Sequence, residues 1–255
     1  MHFSASKDYE LLREVREGVE RAAKFLVDFR DEKTKLPLMS YDLWEERLGV
    51  HAFTVASVVA GLRAAAALMG RLGYWNLERM YSEAAKEIAA ATFDIMFNSA
   101  GGYFYRMVDL EGGADPTVDS SVLSLALLGV VSPLDPRMKS TAQVVASKLL
   151  VPTVGGIARY EGDPYQRVNG DYSKIPGNPW IISTMWLAQY HILVGELEEA
   201  RRLVDFVKGV GSTTGLLPEQ VNPFDRSPLS VMPLAWSHAE YLRTLNMMRS
   251  GVGYQ

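Results

Sequence analysis

HAFTVASVVAGLRAAAALMGRLGYWNLERMYSEAAKEIAAATFDIMF, residues 51–97, holds two long apolar-periodic runs with a break at Gly73 between them. The first, 51–72, is rich in alanine and apolar around much of its circumference, which predicts a helix buried on more than one side. Gly73 ends it. The second, 76–97, opens at Asn76, a candidate N-cap, and stops near Asn98 and the Gly101, Gly102 pair. Two long helices joined by so short a connection fold back on each other, so the stretch predicts an antiparallel helical hairpin.

The same pattern extends in both directions. Upstream, Leu12, Val15, Val19, Ala22, Ala23, Leu26 and Val27 recur at helical spacing over 9–29, and Lys35-Leu36-Pro37 breaks the run. Downstream, Asp119-Ser120-Ser121 caps a run over 122–131, and Pro136 opens a helix to 150. Further helices are predicted over 180–194, 196–210 and 233–249. That makes about eight helices with no convincing strand pattern. No low-complexity linker divides the chain, so 1–255 reads as one domain. Connections near Gly73, Pro133 and Gly195 are short, while those at 31–50, 98–119, 152–179 and 211–232 are long. The long ones carry Trp, Tyr, Glu, Arg and Asp, and functional residues concentrate on such loops. No fixed period recurs, which argues against a solenoid.

Composition narrows the function classes. The net charge of -4 leaves no basic excess for nucleic acid or an anionic membrane surface. The absence of cysteine removes disulfides, thiolate metal sites and cysteine nucleophiles. No stretch approaches the roughly 18 uninterrupted apolar residues of a membrane span. The opening Met1-His2-Phe3-Ser4-Ala5-Ser6-Lys7-Asp8 shows no apolar signal core, so a cytoplasmic location is the expectation.

Three loops carry chemistry. In Tyr41-Asp42-Leu43-Trp44-Glu45-Glu46-Arg47, two adjacent carboxylates follow a tryptophan. They could simply favour the positive start of the next helix, or one could sit against the indole in a partly dry pocket and donate a proton. In Leu217-Pro218-Glu219-Gln220, Glu219 is a candidate general base if paired across a pocket with Glu45. Arg159-Tyr160-Glu161-Gly162-Asp163, continuing to Gly177-Asn178-Pro179-Trp180, offers the planar rings and forked polar groups a sugar requires. The same loop also reads as an ion-paired surface segment with Trp180 as a helix-start anchor.

These segments, together with Pro-Leu-Ala-Trp-Ser-His at 233–238, closely resemble in order and spacing glycoside hydrolase family 15, which holds the glucoamylases, glucodextranases and archaeal-type trehalases. The resemblance implies an all-α (α/α)6 toroid of helical hairpins, incomplete here, with about eight of its twelve helices present. It implies Glu45 as general acid and Glu219 as general base. Asp42, Trp44 and Glu46 would line the site beside the acid. Arg159, Asp163 and Trp180 would fall on or near sugar-contacting positions, and Trp236 would support the base loop. His51 and His238 also match family positions and read as structural polar residues. The reaction implied is inverting hydrolysis of an α-glucosidic bond at a non-reducing end, with no cofactor and no metal. The two carboxyls would stand about 6.5–9.5 Å apart to admit a water.

The chain departs from that pattern at its start. Full-length relatives open with a β-sandwich domain and four more toroid helices, which hold an Arg-Asp pair that grips the terminal glucose. Arg30-Asp31 lies at a helix end in the wrong context to replace it. The expectation is therefore negligible hydrolysis by the chain alone, with a separately encoded N-terminal half or self-association supplying the rest. The competing expectation is a catalytically inactive fragment or a helical-hairpin binding or structural module. Which α-glucoside would be cut stays open among maltooligosaccharides, isomaltose-type links and trehalose.

Overall fold

The computed structural model describes residues 6–109 and 111–250. The opening residues read above for a signal segment lie outside them up to Ala5. In chain order the elements begin with α1 (Tyr9–Asp28), β1 (Ser40–Tyr41), β2 (Leu48–His51), α2 (Ala52–Arg71) and α3 (Trp75–Ile95). Next come β3 (Phe97–Asn98), β4 (Tyr103–Phe104), β5 (Met107–Val108), β6 (Ala114–Asp115) and a 3-10 turn (Ser120–Leu123). Then follow α4 (Ser124–Leu127), α5 (Pro136–Leu149), β7 (Ile157–Ala158), β8 (Pro179–Trp180), α6 (Ile181–Leu193) and α7 (Leu197–Val210). The last are β9 (Gln220–Val221), β10 (Pro228–Leu229) and α8 (Ala235–Ser250).

Contacts group the chain into two compact units. One comprises the chain through Met96 with Met107–Ala114, and the other Phe97–Arg106 with Asp115 onward. In the first, α1 and α3 both pack on α2. Asp8 caps α1 by accepting the Leu11 N–H at 2.9 Å. α2 is long and apolar enough, by length and composition, to cross a membrane. Its burial explains that composition: Val55, Val59, Leu62 and Met69 are sealed between its neighbours. Arg63 interrupts the apolar run.

The α2–α3 hairpin forms as predicted, but Asn76 is not its cap. Gly73 takes a left-handed φ of 84°, a conformation glycine adopts without steric penalty. The N–H groups of Gly73 and Tyr74 return to Gly70 and Met69, and the carbonyl of Tyr74 already accepts from Leu77 and Glu78. The next helix thus starts at Trp75, with Tyr74 as cap.

In the second unit, α6 is buried along almost its whole length, with α7 and α8 packed against it. Ile181, Met185 and Ala188 meet Ala200, Val204, Val207 and Met247 in one core. Burying a Val, Ile or Met side chain of this kind contributes about 1.5–3 kcal/mol. The predicted helix over 122–131 is much shorter. A 3-10 turn capped by Asp119 leads into α4, and Gly129, at φ 75°, lets Val130 and Val131 turn back onto the Leu125 carbonyl.

The strands are the clearest departure from expectation. Runs of two to four residues cannot display alternation, so periodicity could not find them. They nevertheless organise the long loops. β1 and β2 form a hairpin in the register Ser40↔Gly49 and Tyr41↔Leu48, and β2 continues onto β5. In the second unit the sheet order is β10-β9-β8-β7. Trp180 in β8 pairs with Ile157 on one side and with Gln220 on the other.

Candidate active site

The β1–β2 hairpin carries the Tyr41–Arg47 motif on a six-residue tip, closed by the Asp42 N–H donating to the Arg47 carbonyl at 2.9 Å. Asp42 organises the tip. Its Oδ1 accepts from the N–H groups of Glu46 and Arg47 at 2.7 and 3.1 Å. The Glu45 N–H donates to the Asp42 carbonyl at 3.0 Å, and Glu45 itself is held at φ 59°. Left-handed backbone costs a side-chain-bearing residue about 1–2 kcal/mol, so this tip keeps Glu45 in a conformation the chain would otherwise leave.

The two adjacent glutamates are thereby separated chemically. Glu46 pairs with Arg47 Nη1 at 2.7 Å. Glu45 is exposed, and among the described residues its carboxylate has no hydrogen-bond or ion-pair partner. Neither acid lies in the first turn of α2, because β2 intervenes, so the helix-start explanation is overturned. Among the described residues no dry pocket closes around Glu45. A hairpin tip projects from its sheet, and solvent reaches Glu45, while Trp44 is half-buried. His51, buried, approaches the Arg47 carbonyl through Nε2 at 3.0 Å and steadies the same tip.

In the other unit, the three-stranded pairing around Trp180 gathers the remaining motifs. Glu219 directly precedes β9, and its carbonyl accepts from the Ile181 N–H at 3.1 Å. Its Oε2 accepts two bonds, from the Ser230 hydroxyl at 2.5 Å and from Gln220 Nε2 at 3.1 Å. Ser230 holds φ at 66°, another left-handed residue at a loop beside a carboxylate. The first turn of α8 pins the preceding segment. Ser237 donates to the Pro218 carbonyl at 2.7 Å, and His238 Nε2 accepts the Leu217 N–H at 3.0 Å. Trp236, the residue just before them in the helix start, is half-buried and lies edge-on to Trp186 with centroids 5.9 Å apart.

Arg159 and Asp163 are brought together, but onto each other. The guanidinium donates through Nε at 2.9 Å and Nη2 at 2.8 Å to the two oxygens of Asp163, a bidentate pair. The rings of Tyr160, Tyr165 and Trp180 lie within 5.1 Å of the guanidinium carbon. Both side chains are buried, so the arrangement locks the loop in shape. Asn178 stands in the Gly177-Asn178-Pro179-Trp180 motif without a role, and Ser230 and Tyr172 carry no local signal that could have assigned them one. Only the fold brings Ser230 to Glu219, Asn178 to Gln220 and Tyr172 to Asn178.

The model of the family described as Glycosyl hydrolases family 15 matches residues 13–203. An uncharacterized glycosyl hydrolase of Methanocaldococcus jannaschii is 28% identical over 265 residues, covering 95% of this chain and 39% of that protein. A glucoamylase of Clostridium sp. is 29% identical over 237 residues, covering 81% of this chain and 33% of that protein. Among solved structures, a bacterial glucoamylase complexed with acarbose matches with a TM-score of 0.79 at 26% identity. That match covers 96% of this chain and 40% of the other. The chain therefore spans two fifths or less of the length of these relatives. Its all-α hairpin fold is the glucoamylase helical toroid in part, as the sequence led us to expect.

Proposed function

The chain belongs to glycosyl hydrolases family 15, and from that premise we propose that it carries both carboxylates of an inverting, exo-acting α-glucosidic hydrolase. Glu45 is the general acid. It protonates the glycosidic oxygen as the bond to the anomeric carbon breaks. Glu219 is the general base, taking a proton from the water whose oxygen bonds to that carbon from the opposite face. Asp42, Glu46, Trp44, Arg159, Asp163, Trp180 and Trp236 shape and brace the two loops.

The observation that carries this reading is the contrast between neighbours. Asp42 holds the N–H groups of Glu46 and Arg47 and Arg47 holds the Glu46 carboxylate, while among the described residues the Glu45 carboxylate has no partner and sits on left-handed backbone. Left-handed backbone at an exposed acid motivates a functional hypothesis for Glu45. Glu219 supports it independently, with two donors on one oxygen.

Hydrolysis is proposed to need the further segments that the longer relatives possess, and the chain alone to be nearly silent. Exposed Phe25 and Trp75 in one unit, and Leu197 and Leu242 in the other, are apolar surface suited to being covered by them. The same exposed residues favour the second reading, a helical-hairpin module that only binds a partner protein. Glucose release from maltotriose, trehalose and dextran decides between them. It is measured on the purified chain alone and mixed with the N-terminal portion of a longer relative. Turnover appearing only on mixing, and lost in Glu45→Gln and Glu219→Gln, supports the hydrolase and identifies its substrate. A folded mixture with no turnover on any of the three leaves the binding module.

A further inference from the structure

Asn178, fully buried one residue before β8, sits at the centre of a directional chain of hydrogen bonds. Its Nδ2 donates to the backbone carbonyl of Gln166 at 2.9 Å, to that of Tyr165 at 3.3 Å, and to Gln220 Oε1 at 2.9 Å. Its Oδ1 accepts from the Tyr172 hydroxyl at 2.7 Å, and that hydroxyl accepts from the Val168 N–H at 3.1 Å. An amide can usually be turned end for end without changing its shape. Here it cannot. Backbone carbonyls only accept, so a reversed Asn178 would set oxygen against two oxygens.

That fixed orientation passes to the next residue. Gln220 is wholly buried and faces an N–H of Asn178, so it must present Oε1 there and send Nε2 the other way. Nε2 then donates to Glu219 Oε2 at 3.1 Å, beside the Ser230 hydroxyl on the same oxygen. Among the described residues no donor reaches Glu219 Oε1. The two oxygens of one carboxylate are therefore made inequivalent by an amide two side chains away.

We propose that Asn178 is a positioning residue which, through Gln220, commits Glu219 Oε2 to hydrogen bonding and reserves Oε1 as the oxygen that takes the proton from water. Tyr172 anchors it on the acceptor side. The inference rests on the reading of Glu219 as general base, but its structural half stands apart from turnover.

The test uses the whole chain with its glutamine side-chain amides labelled with nitrogen-15. Asn178→Asp keeps the shape and the acceptor for Tyr172 but removes the donor to Gln220. The Gln220 amide protons should be dispersed and slow to exchange in the parent, and about tenfold faster in Asn178→Asp, as loss of a buried bond implies. Because Asn178 also holds two loop carbonyls, Tyr172→Phe serves as a second variant. It leaves every Nδ2 bond in place and should speed exchange by a smaller factor. Unchanged Gln220 exchange in folded Asn178→Asp overturns the proposal. In the reconstituted enzyme, Asn178→Asp should lower kcat about tenfold and leave KM nearly unchanged. Parental kcat in that variant, where Glu219→Gln is dead, also overturns it. Full turnover in Glu219→Gln sinks the base assignment alone, and the exchange result is unaffected.

Discussion

Arg159 grips both carboxylate oxygens of Asp163, at 2.9 and 2.8 Å, with both side chains shut away from solvent. A buried pair of this kind gives little net stability over apolar groups of the same size, because each charge loses its hydration. Removing one partner is another matter. Asp163→Ala strands a guanidinium among three rings and should destabilise the fold by about 3–5 kcal/mol. The double variant Arg159→Met, Asp163→Leu should lose far less. Urea unfolding of the single and double variants checks both numbers, and equal losses would refute the argument.

Glu45 sets local stability against function. Its left-handed φ costs about 1–2 kcal/mol, part of which glycine would recover, so Glu45→Gly should be about 1 kcal/mol more stable than the parent. The same variant should have no turnover in the reconstituted enzyme. A destabilised Glu45→Gly would show that the tip holds a favourable contact for this side chain.

Ser230 donates to Glu219 at 2.5 Å, a bond to a carboxylate. Such bonds are worth about 1.5–3 kcal/mol, so Ser230→Ala should lower kcat by about tenfold to a hundredfold with KM little changed. Steady-state kinetics on the substrate that glucose release identifies will decide, and a rise in KM at constant kcat would count against it.

Tyr190 gives a pH signature. Its hydroxyl, which donates to the Pro133 carbonyl at 2.9 Å, is pushed up to about 12 by burial, with the charge of Glu196 adding to the effect. The folded chain then holds a proton that the unfolded chain releases near pH 10. The stability this contributes is complete below about pH 10 and is lost as pH rises through about 12. Tyrosinate absorbance of the parent minus that of Tyr190→Phe should rise near pH 12. A rise near 10 would contradict the buried environment.

The helices were legible where many residues repeat one signal. The apolar spacing in α1, α2 and α3 and the punctuation at Gly73 and Gly195 survive intact in the structure. Legibility failed where a single geometry overrides composition. Asn76 is chemically a better cap than Tyr74, yet the bonds made around Gly73 start the helix before it. Asp119 capped its turn as read, but Gly129 cut the helix to four residues.

Local spacing and contiguous motifs carried the hairpin class and the family, and they nominated the two candidate carboxylates. Only the tertiary structure decided which of Glu45 and Glu46 is left unpartnered, and that Arg159 is taken up by Asp163. It alone joined the loops bearing Asn178 and Glu219, through Trp180 pairing with Gln220 across 40 positions of chain. Strands of two residues leave no periodic trace. Hydrogen bonds between distant side chains depend on orientation, which no run of neighbouring residues encodes.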